Sequence, residues 1–132
     1  MSSEKMTAKD RRILNAIREH CLAALEYKRL ADHMAKNLGT SDNGKLFASM
    51  YYDGLLMQLA QIGEKANRLS DEFVADSSDQ VPWSKIIGMR NILIHRYDDI
   101  NYGIVDSVVN NELVPWLNFC SDELGLERPT PE

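Results

Sequence analysis

Apolar residues recur along this chain at spacings of three and four and never in strict alternation, so the pattern predicts helices throughout. The first helix starts near Thr7, a capping residue, with Asp10 three positions on as a shorter stand-in for the glutamate of a capping box. Its stripe runs through Ile13, Ala16, Ile17, Cys21, Ala24, Ala31, Ala35 and Leu38, with Lys28 as the one break. Leu14, Leu22 and Leu25 widen the apolar side, and Arg11, Arg12, Arg18, Glu19, Glu26 and Arg29 fill the rest. Gly39 is placed to end this helix, and residues 40–44 form a short polar turn.

A second long helix is expected from about Lys45 to Leu69. It carries Leu46, Met50, Gly54 and Met57 on one side and Leu55, Leu59, Ile62, Ala66 and Leu69 on another. Apolar residues on so much of its circumference imply more than one neighbour. Phe47, Tyr51 and Tyr52 read as core and interface aromatics. Gly63 inside this helix costs about 1 kcal/mol relative to alanine, which points to close approach of another backbone. Glu64 beside it either reaches an arginine on that neighbour or faces solvent.

Residues 71–80 read as a polar loop, with Phe73 and Val74 tucked onto the core. Pro82 suits the first turn of a third long element, which Trp83 anchors and which frays near Asp98. A final helix is expected from about Asn101, capped by Asp99 or Asn101. Its stripe is Ile104, Val105, Val108, Val109, Leu113, Leu117 and Cys120 or Leu124, with a kink at Pro115 and a stop at Gly125. The expected architecture is all-α: one domain over residues 1–132, an up-and-down bundle of four to five helices with loose tails at 1–6 and 126–132.

The element beginning at Trp83 stands apart. It is apolar on most sides, yet Ser84, Gly88, Asn91 and His95 fall on one helical stripe, with Arg90 beside it and Tyr97 after it. Unpaired polar groups out of water cost roughly 1–3 kcal/mol each, so these side chains need a use. Composition narrows that use only slightly. The 132 residues carry a net charge of −5, which argues against broad electrostatic capture of nucleic acid. Locally the balance reverses, because residues 80–97 include Lys85, Arg90 and Arg96 and no acid.

Other chemistries lack their residues. There is no Glu-x-x-His pair for a carboxylate-bridged metal site, no phosphate-cradling glycine loop and no nucleophile elbow. His20 and His33 have no second ligand at helical spacing, and Cys21 and Cys120 read as buried free thiols of a reducing compartment. No segment has a signal peptide's apolar core or a membrane span's length, so a cytoplasmic location is expected.

An arginine, an asparagine and a histidine suit phosphodiester cleavage without a metal or other cofactor. Histidine exchanges protons near neutrality, and arginine offers a fixed positive fork to phosphate. RNA brings its own nucleophile, the 2′-hydroxyl. One geometric obstacle stands: Arg90 and His95 are five residues apart, roughly 140° around a regular helix. Either the helix end distorts, the arginine reaches round, or a second subunit completes the site.

From Gln61 through Gly63-Glu64, Pro82-Trp83 and Arg90-Asn91 to His95 and Tyr97, and on to Pro115-Trp116, the chain resembles the HepT-like branch of the HEPN superfamily. The resemblance implies an all-helical homodimer whose two Arg-x4-His motifs meet in one cleft. It implies a metal-independent endoribonuclease toxin of a type VII-like toxin–antitoxin pair, with Arg90, His95 and Asn91 as catalytic residues. It also implies an MntA-like minimal nucleotidyltransferase antitoxin, which transfers AMP to Tyr97. Glu64, Arg96 and Lys85 are candidates for supporting the site or touching RNA. Arg96 departs from the small residue common at its position. The competing expectation is an inactive binding module that docks a nucleotidyltransferase, with Arg90, Asn91 and His95 merely tying helices together.

Overall fold

A computed structural model describes residues 6–38, 41–95 and 100–129, with His95 described by its backbone alone. Six helices make up the described chain: α1 (Ala8–Leu38), α2 (Asp42–Ala66), α3 (Asp71–Ser77), α4 (Trp83–His95), α5 (Tyr102–Asn111) and α6 (Leu113–Glu123). No strand occurs among the described residues, as the periodicity requires. Gly39, the expected stop of α1, and Asp99, one of the two expected caps of α5, lie outside the described residues.

α1 and α2 form a long antiparallel hairpin, with α1 some 46 Å long at 1.5 Å per residue. The register is legible in its cross-links. Asp10 meets Ser70, His20 Nδ1 lies 2.7 Å from Gln58 Oε1, and the Tyr27 ring covers Gly54. α4 lies on α2, α6 lies on α1, and α5 packs mainly on α6. The core runs through all of them, from Leu14, Ile17 and Cys21 to Leu59, Ile62, Ile86, Val108 and Leu117. Cys21 and Cys120 are free and buried within it, and burial pushes the Cys120 thiol up to about 12.

The start of α1 is the expected reciprocal cap. Thr7 Oγ1 accepts from the Asp10 amide at 3.0 Å, and Asp10 Oδ2 accepts from the Thr7 amide at 3.1 Å. Asp10 is wholly buried and does a second job: its carboxylate accepts from the Ser70 amide at 2.8 Å and the Ser70 hydroxyl at 2.7 Å. Ser70 Oγ in turn caps α3 through the Phe73 amide at 3.2 Å. One carboxylate thus ties two helix starts together. Burial alone raises the Asp10 carboxyl, but the bonds from Ser70 and Thr7 outweigh it and leave the group below its ordinary range.

Two expectations are corrected here. The segment after Ser70 is a short helix rather than a loop, because Ser70 caps it and Phe73, with no exposed surface, pins it to Trp83 and Phe119 at ring separations of 6.3 and 6.2 Å. The final helix is two helices, broken at Glu112 (φ −120°) and not kinked at Pro115. Pro115 takes the third position of α6, where a missing N–H has no intrahelical acceptor to lose. α6 does stop at Gly125, whose φ of +70° lets the Leu126 amide reach back to the Ser121 carbonyl at 2.8 Å.

Candidate functional site

The close approach read from Gly63 is the contact between α2 and α4. A Cβ placed on Gly63 would meet the Ile86 carbonyl oxygen at 2.9 Å and collide with the Arg90 side chain. With no side chain between them, the two backbones bring the next α2 residue, Glu64, to Arg90. Arg90 Nε lies 2.7 Å from Glu64 Oε2. Arg90 Nε is buried and makes no well-aligned hydrogen bond, so the contact with Glu64 is an ion pair. Arg90 Nη1 donates to Asn91 Oδ1 at 2.9 Å. The other Glu64 oxygen takes Arg68 Nη2 at 3.1 Å, so one carboxylate faces two guanidiniums.

Arg90 and Glu64 keep 28% and 29% of their side-chain surfaces, enough for a ligand to reach both. They stand at the rim of a hollow of about 500 Å³ between α2 and α4, with Met57, Gln61, Leu93 and Ile94 also lining it. The far side of α4 borders a second, mostly apolar groove of about 460 Å³ against α5, lined by Met89, Ile92, Ile104 and Val108 among others. Between these hollows α4 is open. Ser84 and Asn91 are exposed, Gly88 has nothing within 4 Å of where a Cβ would stand, and Ile92 and Ile94 are about half exposed.

The structure therefore brings Arg90, Asn91 and Glu64 together and places His95 at the last turn of the same helix. The His95 side chain, Arg96 and Tyr97 lie outside the described residues. Lys85 is apart from this group, about one and a half turns before Arg90 on α4, paired with Glu112 at 2.9 Å. Arg68 joins this group as well, at the i,i+4 spacing from Glu64 that is the signal for such a pair. Among the described residues no three metal-ligating side chains come together, and no helix is long and apolar enough to cross a membrane.

An all-helical bundle with an arginine held at a helix–helix seam, five residues before a histidine on the same helix, defines a class of helical domain. The family follows from the sequence: residues 40–122 match the model of the family described as ribonuclease HepT-like, and the chain belongs to that family. It is 32% identical over 59 residues to a Methanocaldococcus jannaschii protein named "Putative RNase MJ1380", covering 45% of this chain and 53% of that one. It is 40% identical over 52 residues to "Putative RNase TTE0752" of Caldanaerobacter subterraneus, covering 39% of this chain and 46% of that one. The matched segments thus span about half the length of these relatives. No solved structure matches.

Proposed function

We propose that this chain is a metal-independent endoribonuclease and the toxin of a toxin–antitoxin pair. The observation that carries the reading is the Glu64–Arg90–Asn91 cluster on the helix that ends at His95, in a chain of the HepT-like family. In this reading the 2′-oxygen of RNA attacks the adjacent phosphorus while the bond to the 5′-oxygen breaks, leaving a cyclic phosphate and a 5′-hydroxyl. His95 moves the proton, Arg90 binds the phosphate and the charge that grows on it, and Asn91 orients the guanidinium. Glu64 holds Arg90 in place until a phosphate competes for it. Arg96 and Lys85 are available for further contacts with RNA.

One helix alone does not aim Arg90 and His95 at one atom, so the working site is formed by two copies. The open side of α4, with Gly88, Ile92 and Ile94 uncovered, supports such pairing. Tyr97 is the acceptor of AMP from an MntA-like nucleotidyltransferase. A phosphate there would repel RNA and fill the cleft.

The test is cleavage of single-stranded RNA in EDTA. His95→Ala should lower the rate by roughly 10²–10⁴, and an RNA with a 2′-deoxy at the scissile position should resist. Equal cleavage by wild type and variant, or dependence on a divalent metal, would sink the assignment. For Tyr97, intact-mass measurement after incubation with the nucleotidyltransferase and ATP should show AMP-sized additions that Tyr97→Phe abolishes. One observation favours a second reading: Glu64 neutralises Arg90, as in a structural ion pair of a non-catalytic docking module. That module would bind the nucleotidyltransferase tightly yet cleave no RNA and arrest no growth.

A further inference from the structure

At the end of the hairpin opposite the α1–α2 turn, Lys9 and Arg12 of α1 meet Lys65 of α2 and Arg68 just past its end around a hollow of about 220 Å³. Ile13 and Ala16 also line it, and no acid does. Such a gathering is unusual in a chain with 20 acids against 15 lysines and arginines. Several cations elsewhere are neutralised: Lys28 by Asp32, Arg29 by Glu26, Lys85 by Glu112 and Arg128 by Asp122. Lys9, Arg12 and Lys65 make no hydrogen bond or ion pair with a described residue. Like charges three apart on a helix repel, as Lys9 and Arg12 do on α1, and Lys65 and Arg68 line the same hollow. The antiparallel register, fixed by the Asp10–Ser70 and His20–Gln58 contacts, holds them there at a standing electrostatic cost.

Two acids close in sequence to the patch are already engaged. Asp10 is buried and points to Ser70, while Glu64 is shared by Arg68 and Arg90. That sharing joins the patch to the candidate site. Arg68 belongs to both, through its 3.1 Å ion pair with Glu64. We infer that Lys9, Arg12 and Lys65, with Arg68, bind phosphates of the RNA strand that flank the phosphate held at Arg90. The patch grips the backbone and reads no base, as exposed lysines and arginines on phosphates do. It makes a cationic path in an otherwise acidic protein, which explains how net charge −5 is compatible with an RNA substrate. This inference rests on the ribonuclease reading for its substrate.

The experiment is fluorescence anisotropy with a labelled single-stranded RNA, in the full chain carrying His95→Ala, across a range of salt. Adding Lys9→Gln, Arg12→Gln and Lys65→Gln should weaken binding about tenfold or more and reduce the salt slope by about 2, at about 0.7 per phosphate contact. Lys36→Gln with Lys45→Gln, at the other end of the hairpin, should change affinity less than about twofold, as surface charges outside a contact do. A Lys9→Arg, Lys65→Arg variant keeps the charge and should bind like the parent, which separates lost contacts from a damaged fold. An unchanged slope in the triple variant overturns the inference, and so does an equal loss in the control pair. Polyglutamate of matched charge competing as well as RNA overturns it in favour of an acidic protein partner. The two readings fail separately. His95-dependent cleavage with RNA binding indifferent to the patch removes only this inference; patch-dependent RNA binding by a wild type that cannot cleave removes only the catalytic assignment.

Discussion

The two ends of α4 both carry isoleucines and are used in opposite ways. At the first end, Trp83 and Ile86 are buried, the Trp83 indole donates to Ser77 Oγ at 2.8 Å, and its ring meets Phe73 and Phe119. At the second end, Leu93 is buried while Ile92 and Ile94 are exposed and Arg90 leans on Glu64. The first end is anchored by α3, α6 and the Asp10–Ser70 knot. The second lies on α2, where buried Leu93, the Gly63 contact and one ion pair join it to the bundle. A helix fixed at one end and open at the other can present a site without the fold depending on the site's residues.

Truncating the anchored corner should therefore cost most. Phe73→Ala removes a side chain with no exposed surface and leaves a cavity between two aromatic rings, so a loss of about 3–5 kcal/mol is expected in chemical denaturation. A loss below about 1 kcal/mol would show that the corner is not the anchor. Next comes the seam. Gly63→Ala should gain about 1 kcal/mol of helix propensity and lose more, about 1–3 kcal/mol, by pushing α4 off α2. The net sign is what matters: a stabilised variant would mean that the two backbones do not need their close approach. RNA cleavage by this variant should fall further than its stability predicts, because Arg90 moves with α4.

The Asp10 knot sharpens the contrast through pH. Its carboxyl lies below the ordinary carboxylate range, so its stabilisation is present above about pH 4 and is lost as acid titrates the folded group. Asp10→Asn should cost about 1–3 kcal/mol at neutral pH and unfold with a flatter acid limb than wild type. Parallel acid limbs in the two proteins would remove Asp10 from the account.

Much of this was legible in the chain. The stripes gave the helices, Thr7 and Asp10 gave the first cap, and Gly63 pointed to a backbone contact before its partner was known. What escaped was decided across the fold. Residues 71–77 are mostly polar, and they form a helix because Ser70 is both its cap and the target of a carboxylate 60 residues away. The choice between Glu64 as a solvent residue and as Arg90's partner was open on spacing, since it depends on where α4 crosses α2. The basic patch was invisible for the same reason. Lys9 and Arg12 are over 50 positions from Lys65 and Arg68, and only the antiparallel register joins them. Near His95, the angle between Arg90 and His95 was readable, and it argued for a second copy.

That second copy is where the smallest change to the fold should have the largest consequence. Ile92 and Ile94 are 50% and 49% exposed and flank the polar stripe of α4. Exposed apolar residues that contribute only to the monomer usually change stability by no more than about 0.5 kcal/mol when replaced. Ile92→Gln with Ile94→Gln should therefore leave unfolding nearly unchanged at concentrations where the chain is monomeric. In sedimentation velocity at higher concentration the same variant should stay monomeric while the wild type sediments as a dimer. RNA cleavage should fall with the dimer, and mixing this variant with wild type should restore little of it. If the variant dimerises and cleaves like wild type, the open end of α4 is not the pairing surface, and the two copies must meet through another face.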